Sequence, residues 1–337
     1  MSNQDVVLEL DDVAVHLDTD AGEVQATRAV SFTIRQGEMV GLVGESGSGK
    51  SLTALAIMGL LPEGLSRVTG RIRLGGRDLV GLSASDMAKV RGRDVSMIFQ
   101  EALTALDPVF RVGDQIAETV RAHRDISRRE AAERAVELLD AVGIPDPRTR
   151  ARAYPHQLSG GMRQRVMIAI ALVSEPKLLI ADEPTTALDV TIQAQILTLL
   201  RSLSEERGMA ILLITHDLGV VAETCARVNT MYAGEIVEQR ATDPLLIRPR
   251  HPYTSGLMAS IPRVEDRRRH LYTIPGRVPT LQAMPDGCRF RQRCDHAADG
   301  CGQEQRLLPD DGGAVRCHRA DQLTLAGSVR SGVEPVR

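Results

Sequence analysis

"MVGLVGESGSGKSLTAL", residues 39–55, decides the fold. The run Met39 to Val43 is short, apolar and bounded by polar residues, as expected of a buried strand. After Lys50 the apolar positions Leu52, Leu55, Ala56 and Leu60 recur at helical spacing until "LPEG" stops them. Between strand and helix, Gly44-x4-Gly49-Lys50-Ser51 matches the phosphate-binding loop in full. Its glycines permit a turn tight enough for consecutive backbone N–H groups to face phosphates. Gly44, Glu45, Ser46, Gly47, Ser48, Gly49, Lys50, Ser51 and Leu52 form the candidate nucleotide-binding set. Lys50 would reach the β- and γ-phosphates, and Ser51 would ligate Mg²⁺.

Moving outward, residues 6–43 alternate short apolar runs with turn-forming stretches, a strand pattern. From about 101 to 164 the pattern is helical. Ser127 and Glu130 stand at capping-box spacing, Ala132, Val136, Leu139 and Val142 form one apolar face, and Gly143 with Pro145 ends the helix. From Val166 on, "VMIAIALV", "KLLIAD", "IQAQILTLLRSL" and "MAILLIT" alternate helical and strand-like character, which predicts parallel strands with helical crossovers.

The second of these runs continues as "KLLIADEP", a buried strand ending in two carboxylates, Asp182 and Glu183. Because successive strand residues point to opposite sides, the two can divide their labour, Asp182 supporting Mg²⁺ and Glu183 facing the γ-phosphate as general base. His216 closes "AILLITHD" and could polarise the γ-phosphate or hold the water; taken alone, it reads equally well as a structural histidine. Gln100, at the end of "VSMIFQ", has the reach to touch Mg²⁺ or water. "HQLSGGMRQRV" sets Ser159, Gly160 and Gly161 at the mouth of a second helix, a geometry that suits an anion.

The bulk properties narrow the classes. At 337 residues the chain can bury an ample core, and with 2% aromatic residues and no Trp that core must be aliphatic. A net charge of −3 supplies no field for nucleic acid. The longest apolar run, Val166 to Val173, is far short of the roughly 18–20 residues of a spanning helix, so a cytoplasmic protein that does not cross a bilayer is expected. Past about residue 245 the composition shifts to Pro, Arg and Gly, and Cys288-x5-Cys294-x6-Cys301-x15-Cys317 gathers four thiols. Four thiolates suit zinc or an iron–sulfur cluster, and the spacing does not decide between these or unligated and disulfide-bonded cysteines. Cys225, on an apolar stretch, reads as core.

The phosphate loop, "FQ", "LSGG", "LLIADEP", "ALD" and "THD", in this order and spacing, resemble the ATP-binding subunit of an ABC transporter over residues 6 to about 245. The resemblance implies an α/β fold: a P-loop NTPase core with a helical subdomain at about 101–164, spanning 1–245, then a small Cys-containing C-terminal domain, 246–337. It implies Gln100 as the Q-loop, Ser159 to Gly161 as the signature, Asp182 and Glu183 as Walker B and catalytic base, Asp189 as the D-loop and His216 as the switch histidine. Ser51, Gln100 and Asp182 would share the Mg²⁺. It further implies that "LSGG" grips the γ-phosphate of ATP held by a second subunit docked head to tail. Two positions depart from the family: Met162 stands where Gln is common, and where an aromatic usually stacks on adenine "VAVHLD" offers His16 or Leu17.

"RPRHPYTSGL", Arg248 to Leu257, and "GCRFRQRC" resemble the dipeptide, oligopeptide and nickel importer branch. That implies a 4Fe-4S cluster on Cys288, Cys294, Cys301 and Cys317, with zinc as the alternative. It also implies partners: a second ATPase subunit, usually a different chain, two membrane permease subunits and an extracytoplasmic solute-binding protein, with this chain on the cytoplasmic face of the membrane. The expected function is ATP hydrolysis that powers peptide import, or import of nickel or another small solute. Two other classes are weighed: a DNA-repair ABC ATPase, opposed by the acidic net charge and the HPYT tail, and a silent regulatory module, opposed by Glu183 and His216. "RVEDRRRH", Arg263 to His270, reads as a solvated charged face.

Overall fold

The computed structural model of the chain describes residues 5–20, 22–99, 105–185, 188–261 and 272–327. Its strands, in chain order, are β1 (Val6–Thr19), β2 (Gly22–Arg35), β3 (Met39–Val43), β4 (Ser66–Leu74), β5 (Arg77–Asp78), β6 (Val95–Ile98), β7 (Leu178–Asp182), β8 (Ala210–Thr215), β9 (Arg227–Tyr232), β10 (Glu235–Ala241), β11 (Leu308–Asp310) and β12 (Gly313–Val315). One antiparallel sheet runs β2-β1-β4-β5; the other runs β11-β12-β10-β9-β3-β8-β7-β6. The centre of the larger sheet, β9-β3-β8-β7-β6, is parallel, as the strand–helix alternation predicts.

The central strands are apolar and buried on both faces, so their alternation sorts side chains into two cores. In β7, Leu179 and Ala181 join one core while Leu178 and Ile180 join the other. Helix α1 (Lys50–Met58) packs Ala54, Ala56, Ile57 and Met58 into the core shared with the antiparallel sheet. The opposite core takes the helices that follow α2 (Ala84–Val90) in the chain: α3 (Val112–His123), α4 (Arg128–Ala141), α5 (Gly160–Ala171), α6 (Val190–Arg207) and α7 (Leu218–Thr224).

Helix α4 carries the capping box that Ser127 and Glu130 predict, with Glu130 N–H donating to Ser127 Oγ at 3.2 Å and Ser127 N–H to Glu130 Oε2 at 2.8 Å. Its buried face differs from the expected one. Ala131, Ala135, Leu138, Leu139 and Val142 face inward, whereas Ala132 is exposed and Val136 half-buried. The helix lies between α3 and α5, and two alanines on the inner face let these backbones approach.

The residues after 245 extend the main sheet. β12 pairs with β10 in the register Glu238↔Val315, Gln239↔Ala314 and Arg240↔Gly313. Asp310 accepts from Arg240 at 2.5 Å and Arg250 at 2.8 Å, while Glu238, fully buried, accepts the N–H groups of Arg250 and His251 at 2.9 Å each. Burial raises the Glu238 pKa, and these donors hold it back. Helix α8 (Pro252–Ala259) then leads into the cysteine-bearing segment.

Candidate functional site

β3 delivers Gly44–Ser51 to the N-terminus of α1, where the loop closes tightly on the β9–β10 turn. A Cβ on Gly44 would lie 2.1 Å from the Met231 carbonyl oxygen, so this position requires glycine. Lys50 is 6% exposed. Its ammonium donates to the carbonyls of Gly44 at 2.8 Å and Glu45 at 2.9 Å, with Ser48 Oγ at 3.4 Å. Burial pushes the Lys50 pKa down, and Glu183, Asp182 and Glu45 pull it back up.

Asp182 ends β7 beside this loop, 5% exposed, and takes a hydrogen bond from Ser51. Its Oδ1 is buried with no hydrogen-bond partner. Burial, reinforced by Glu183, raises its pKa. A buried carboxylate oxygen with an open lone pair beside a serine hydroxyl fits a hard divalent cation such as Mg²⁺.

Glu183 is placed differently from the expectation. Strand β7 stops at Asp182, so alternation along the strand does not separate the two carboxylates. Glu183 instead has φ 46°, in the left-handed region, which costs a non-glycine residue on the order of 1–3 kcal/mol. Its N–H still donates to Ile214 O at 2.9 Å, anchoring the turn to β8. The side chain meets His216, Nδ1 to Oε1 at 3.2 Å. The structure thus brings Lys50, Ser51, Asp182, Glu183 and His216 to one end of the parallel sheet. Gln100 lies outside the described residues.

The second helix mouth lies elsewhere. Ser159 caps α5, its Oγ accepting from Met162 N–H at 3.3 Å, and Ser159 and Gly160 are exposed. Asp189 caps α6, accepting from Ile192 N–H at 2.9 Å. The two caps are neighbours: a Cβ on Gly160 would lie 3.9 Å from Leu188, and one on Gly161 only 2.7 Å from Ile192 Cγ2. Helix α5 packs into one core and α1 into the other, so the two helices lie on opposite faces of the sheet. Gly161→Ala should therefore overpack the α5–α6 contact and cost about 1–3 kcal/mol in denaturant unfolding. Adding Ile192→Ala should return most of that loss; an equally unstable double variant would move the glycine requirement elsewhere.

The four cysteines of the C-terminal segment line one cavity, together with His251 and His318. Each sulfur accepts a backbone N–H: Cys288 from Phe290, Cys294 from His296, Cys317 from Arg319 and Cys301 from Ala298, the last at 3.5 Å. Burial pushes the thiols of Cys288 and Cys294 up to about 12 and about 11. Among the described residues no three His, Cys, Asp or Glu side chains stand close enough to hold a single metal ion. Cys225 lies apart, buried just past α7 as expected of a core residue.

The reach of the tail to the phosphate loop is absent from the sequence reading. Tyr253 of the HPYT segment accepts the Glu45 N–H at 2.8 Å, and Arg293 pairs with the Glu45 carboxylate at 2.7 Å. Tyr253 and Arg293 lie in the quoted HPYT and "GCRFRQRC" segments. Their partner, more than 200 positions away, carries no local signal.

Residues 27–186 match the ABC transporter family model, and residues 237–301 match that of the oligopeptide/dipeptide transporter C-terminal region. A Sinorhizobium fredii protein named "Probable peptide ABC transporter ATP-binding protein y4tR" is 50% identical over 323 residues, 95% of this chain and 96% of that relative. A Brucella melitensis protein carrying a peptide import ATP-binding name is 52% identical over 313 residues, 89% and 92% of the two chains. Among solved structures, the ATP-binding cassette MJ0796, described as dimeric and bound to ADP and Pi, superposes with TM-score 0.62 at 30% identity, covering 70% of this chain and 98% of that one. Part of the cbiONQ transporter complex, cbiO1 of Clostridium perfringens, gives TM-score 0.61 at 26% identity over 72% and 90%. With relatives of about half-identical sequence over nearly its whole length, the chain belongs to the ABC transporter ATP-binding proteins that carry the oligopeptide/dipeptide transporter C-terminal region.

Proposed function

We propose that the chain is the ATP-hydrolysing subunit of a peptide importer, in which two such subunits grip ATP between them. One observation carries the reading: the buried Lys50 ammonium, the open Oδ1 of Asp182 and the Glu183–His216 pair converge on one phosphate loop. Residues 1–245 form the ATP-binding unit in this reading, with the helical subdomain at about 101–164 and the tail at 246–337.

The chemistry assigned to each described residue follows from its placement. Backbone N–H groups of Gly44–Leu52 and the Lys50 ammonium bind the β- and γ-phosphates of ATP. Ser51 and Asp182, with Gln100 on the resemblance alone, would hold Mg²⁺, which would neutralise charge on the phosphate oxygens. Glu183 accepts a proton from the attacking water as its oxygen bonds to the γ-phosphorus and the bond to ADP breaks, releasing ADP and phosphate. His216 orients Glu183 through their 3.2 Å contact.

With α5 and α1 packed on opposite faces of the sheet, a partner's ATP is favoured as the anion that Ser159–Gly161 face. Asp189, beside them, would lie at that subunit boundary. No helix among the described residues is long and apolar enough to cross a membrane, so transport needs permease subunits, at whose cytoplasmic face this chain would sit. A groove of about 430 Å³ bordered by Met97, Phe99, Met167 and Ile170 offers the docking site, with Phe99 exposed at it. An external solute-binding protein completes the importer.

We assign a 4Fe-4S cluster to Cys288, Cys294, Cys301 and Cys317. A multi-iron cluster takes one thiolate per iron, so its ligands surround a cage rather than meet at one atom, which matches four sulfurs lining one cavity. When bound, the cluster would cross-link a segment poor in regular structure. Replacing Cys288 or Cys294 by Ser should abolish brown absorbance in anaerobically purified protein; colourless wild-type protein with stoichiometric zinc would defeat the cluster. The transport reading is tested with the assembled complex in vesicles. Peptide-stimulated ATP turnover supports it, and stimulation by nickel alone would replace peptide as the solute.

A further inference from the structure

The five residues between Cys288 and Cys294 reach the phosphate loop from two sides. Arg293, adjacent to Cys294, sets its guanidinium in two-point contact with Glu45, Nη1 to Oε2 at 2.7 Å and Nη2 to Oε1 at 3.2 Å. The same group is fixed elsewhere: Nε donates to Pro275 O at 2.7 Å, and its plane lies 5.7 Å from the Tyr232 ring centre. With its side chain 6% exposed, Arg293 has little freedom to turn away. Arg289, adjacent to Cys288, donates to the carbonyl of Ala233 in the β9–β10 turn. The next residue in that turn, Gly234, donates its N–H to Ser48 O at 2.8 Å.

A third contact comes from packing. Phe290 lies between these arginines and packs edge-on against Tyr232 and tilted against Tyr253, at ring separations of 5.1 and 5.4 Å. Tyr253 accepts the Glu45 N–H, and Lys50 donates to Gly44 O on the other side of the same peptide unit. The plane of the Gly44–Glu45 peptide, where the phosphate loop begins, is therefore set by the tail on one edge and by Lys50 on the other.

We infer that Arg293 and Arg289 are positioning residues for nucleotide binding, and that order in the Cys288–Cys294 loop is thermodynamically coupled to the nucleotide affinity of Gly44–Leu52. The inference rests on reading that loop as the nucleotide site. A phosphate loop binds by holding its N–H groups pre-aimed, so a tail that fixes its first peptide lowers the cost of ordering it. Coupling is reciprocal: the factor by which an ordered tail tightens nucleotide binding is the factor by which nucleotide orders the tail.

The test uses the full-length chain and ADP. By calorimetric titration, Arg293→Ala should weaken ADP binding about fivefold or more, within the usual range of coupling between sites. Glu45→Ala should do the same, and the double variant should be no weaker than the weaker single, because both remove one contact. In the reverse direction, amide hydrogen exchange of wild-type protein, read by peptide, should slow over residues 288–294 with saturating ADP. The slowing should exceed that over β1, which reports global stabilisation, and should vanish in Arg293→Ala. An ADP affinity for Arg293→Ala within about twofold of wild type, additive single effects, or exchange indifferent to ADP would overturn the coupling. If Arg293→Ala fails to fold, the wild-type exchange decides alone. Wild-type protein that binds no ADP would overturn the nucleotide site and the coupling together.

Discussion

Glu183→Gln is expected to lower ATP turnover by the assembled complex about 10²–10⁴-fold while leaving ATP binding intact, the range set by removing a general base. Gln keeps the shape of Glu183 and a hydrogen bond toward His216, but it cannot take the water proton at neutral pH. The backbone strain at φ 46° is paid equally by either side chain, so the unfolding midpoint should barely move. If ATP is held between two subunits, the variant should accumulate as an ATP-bound dimer in gel filtration. Turnover within tenfold of wild type would remove Glu183 from the role of proton acceptor. Loss of ATP binding together with turnover would make it a binding residue instead.

Lys50→Ala is expected to weaken ATP binding about hundredfold or more and to leave no measurable turnover. Hydrogen bonds involving charged groups contribute roughly 1.5–3 kcal/mol each, and the ammonium is the one cation the loop itself brings to the phosphates. The same change takes the donor away from the carbonyls of Gly44 and Glu45, with the Lys50 side chain almost wholly buried. A stability loss of about 1–3 kcal/mol should accompany it. Lys50→Met separates the two effects, because it retains the buried aliphatic stem. It should recover part of the stability in denaturant unfolding and none of the ATP affinity. An ATP affinity within threefold of wild type in the Met variant would refute the assignment of Lys50.

Much of the site is legible in local sequence because each part is a contiguous element with its own geometric demand. The strand–glycine loop–helix order around Gly44–Ser51 is one case, and the box of Ser127 and Glu130 is another. Where a role depends on the end of an element, local reading falters. A strand that stops one residue earlier than assumed moves Glu183 out of the alternating pattern into a left-handed turn. Helix α4 shows the same limit: periodicity gave the helix, yet its buried stripe is set by which neighbours pack on it, here α3 and α5.

The order and spacing of its motifs alone determined that this chain is a phosphate-loop ATPase with an appended cysteine segment, since hydrogen-bonding geometry at a glycine loop and apolar periodicity act over a few residues. Tertiary structure alone decided that α1 and α5 pack on opposite faces of one sheet, and that the cysteine segment pairs with β10 and grips Glu45. Contacts such as Arg293 to Glu45 join residues 248 positions apart. Their existence depends on how two cores stack against a twisted sheet, a property of the whole packed chain that no short window of sequence contains.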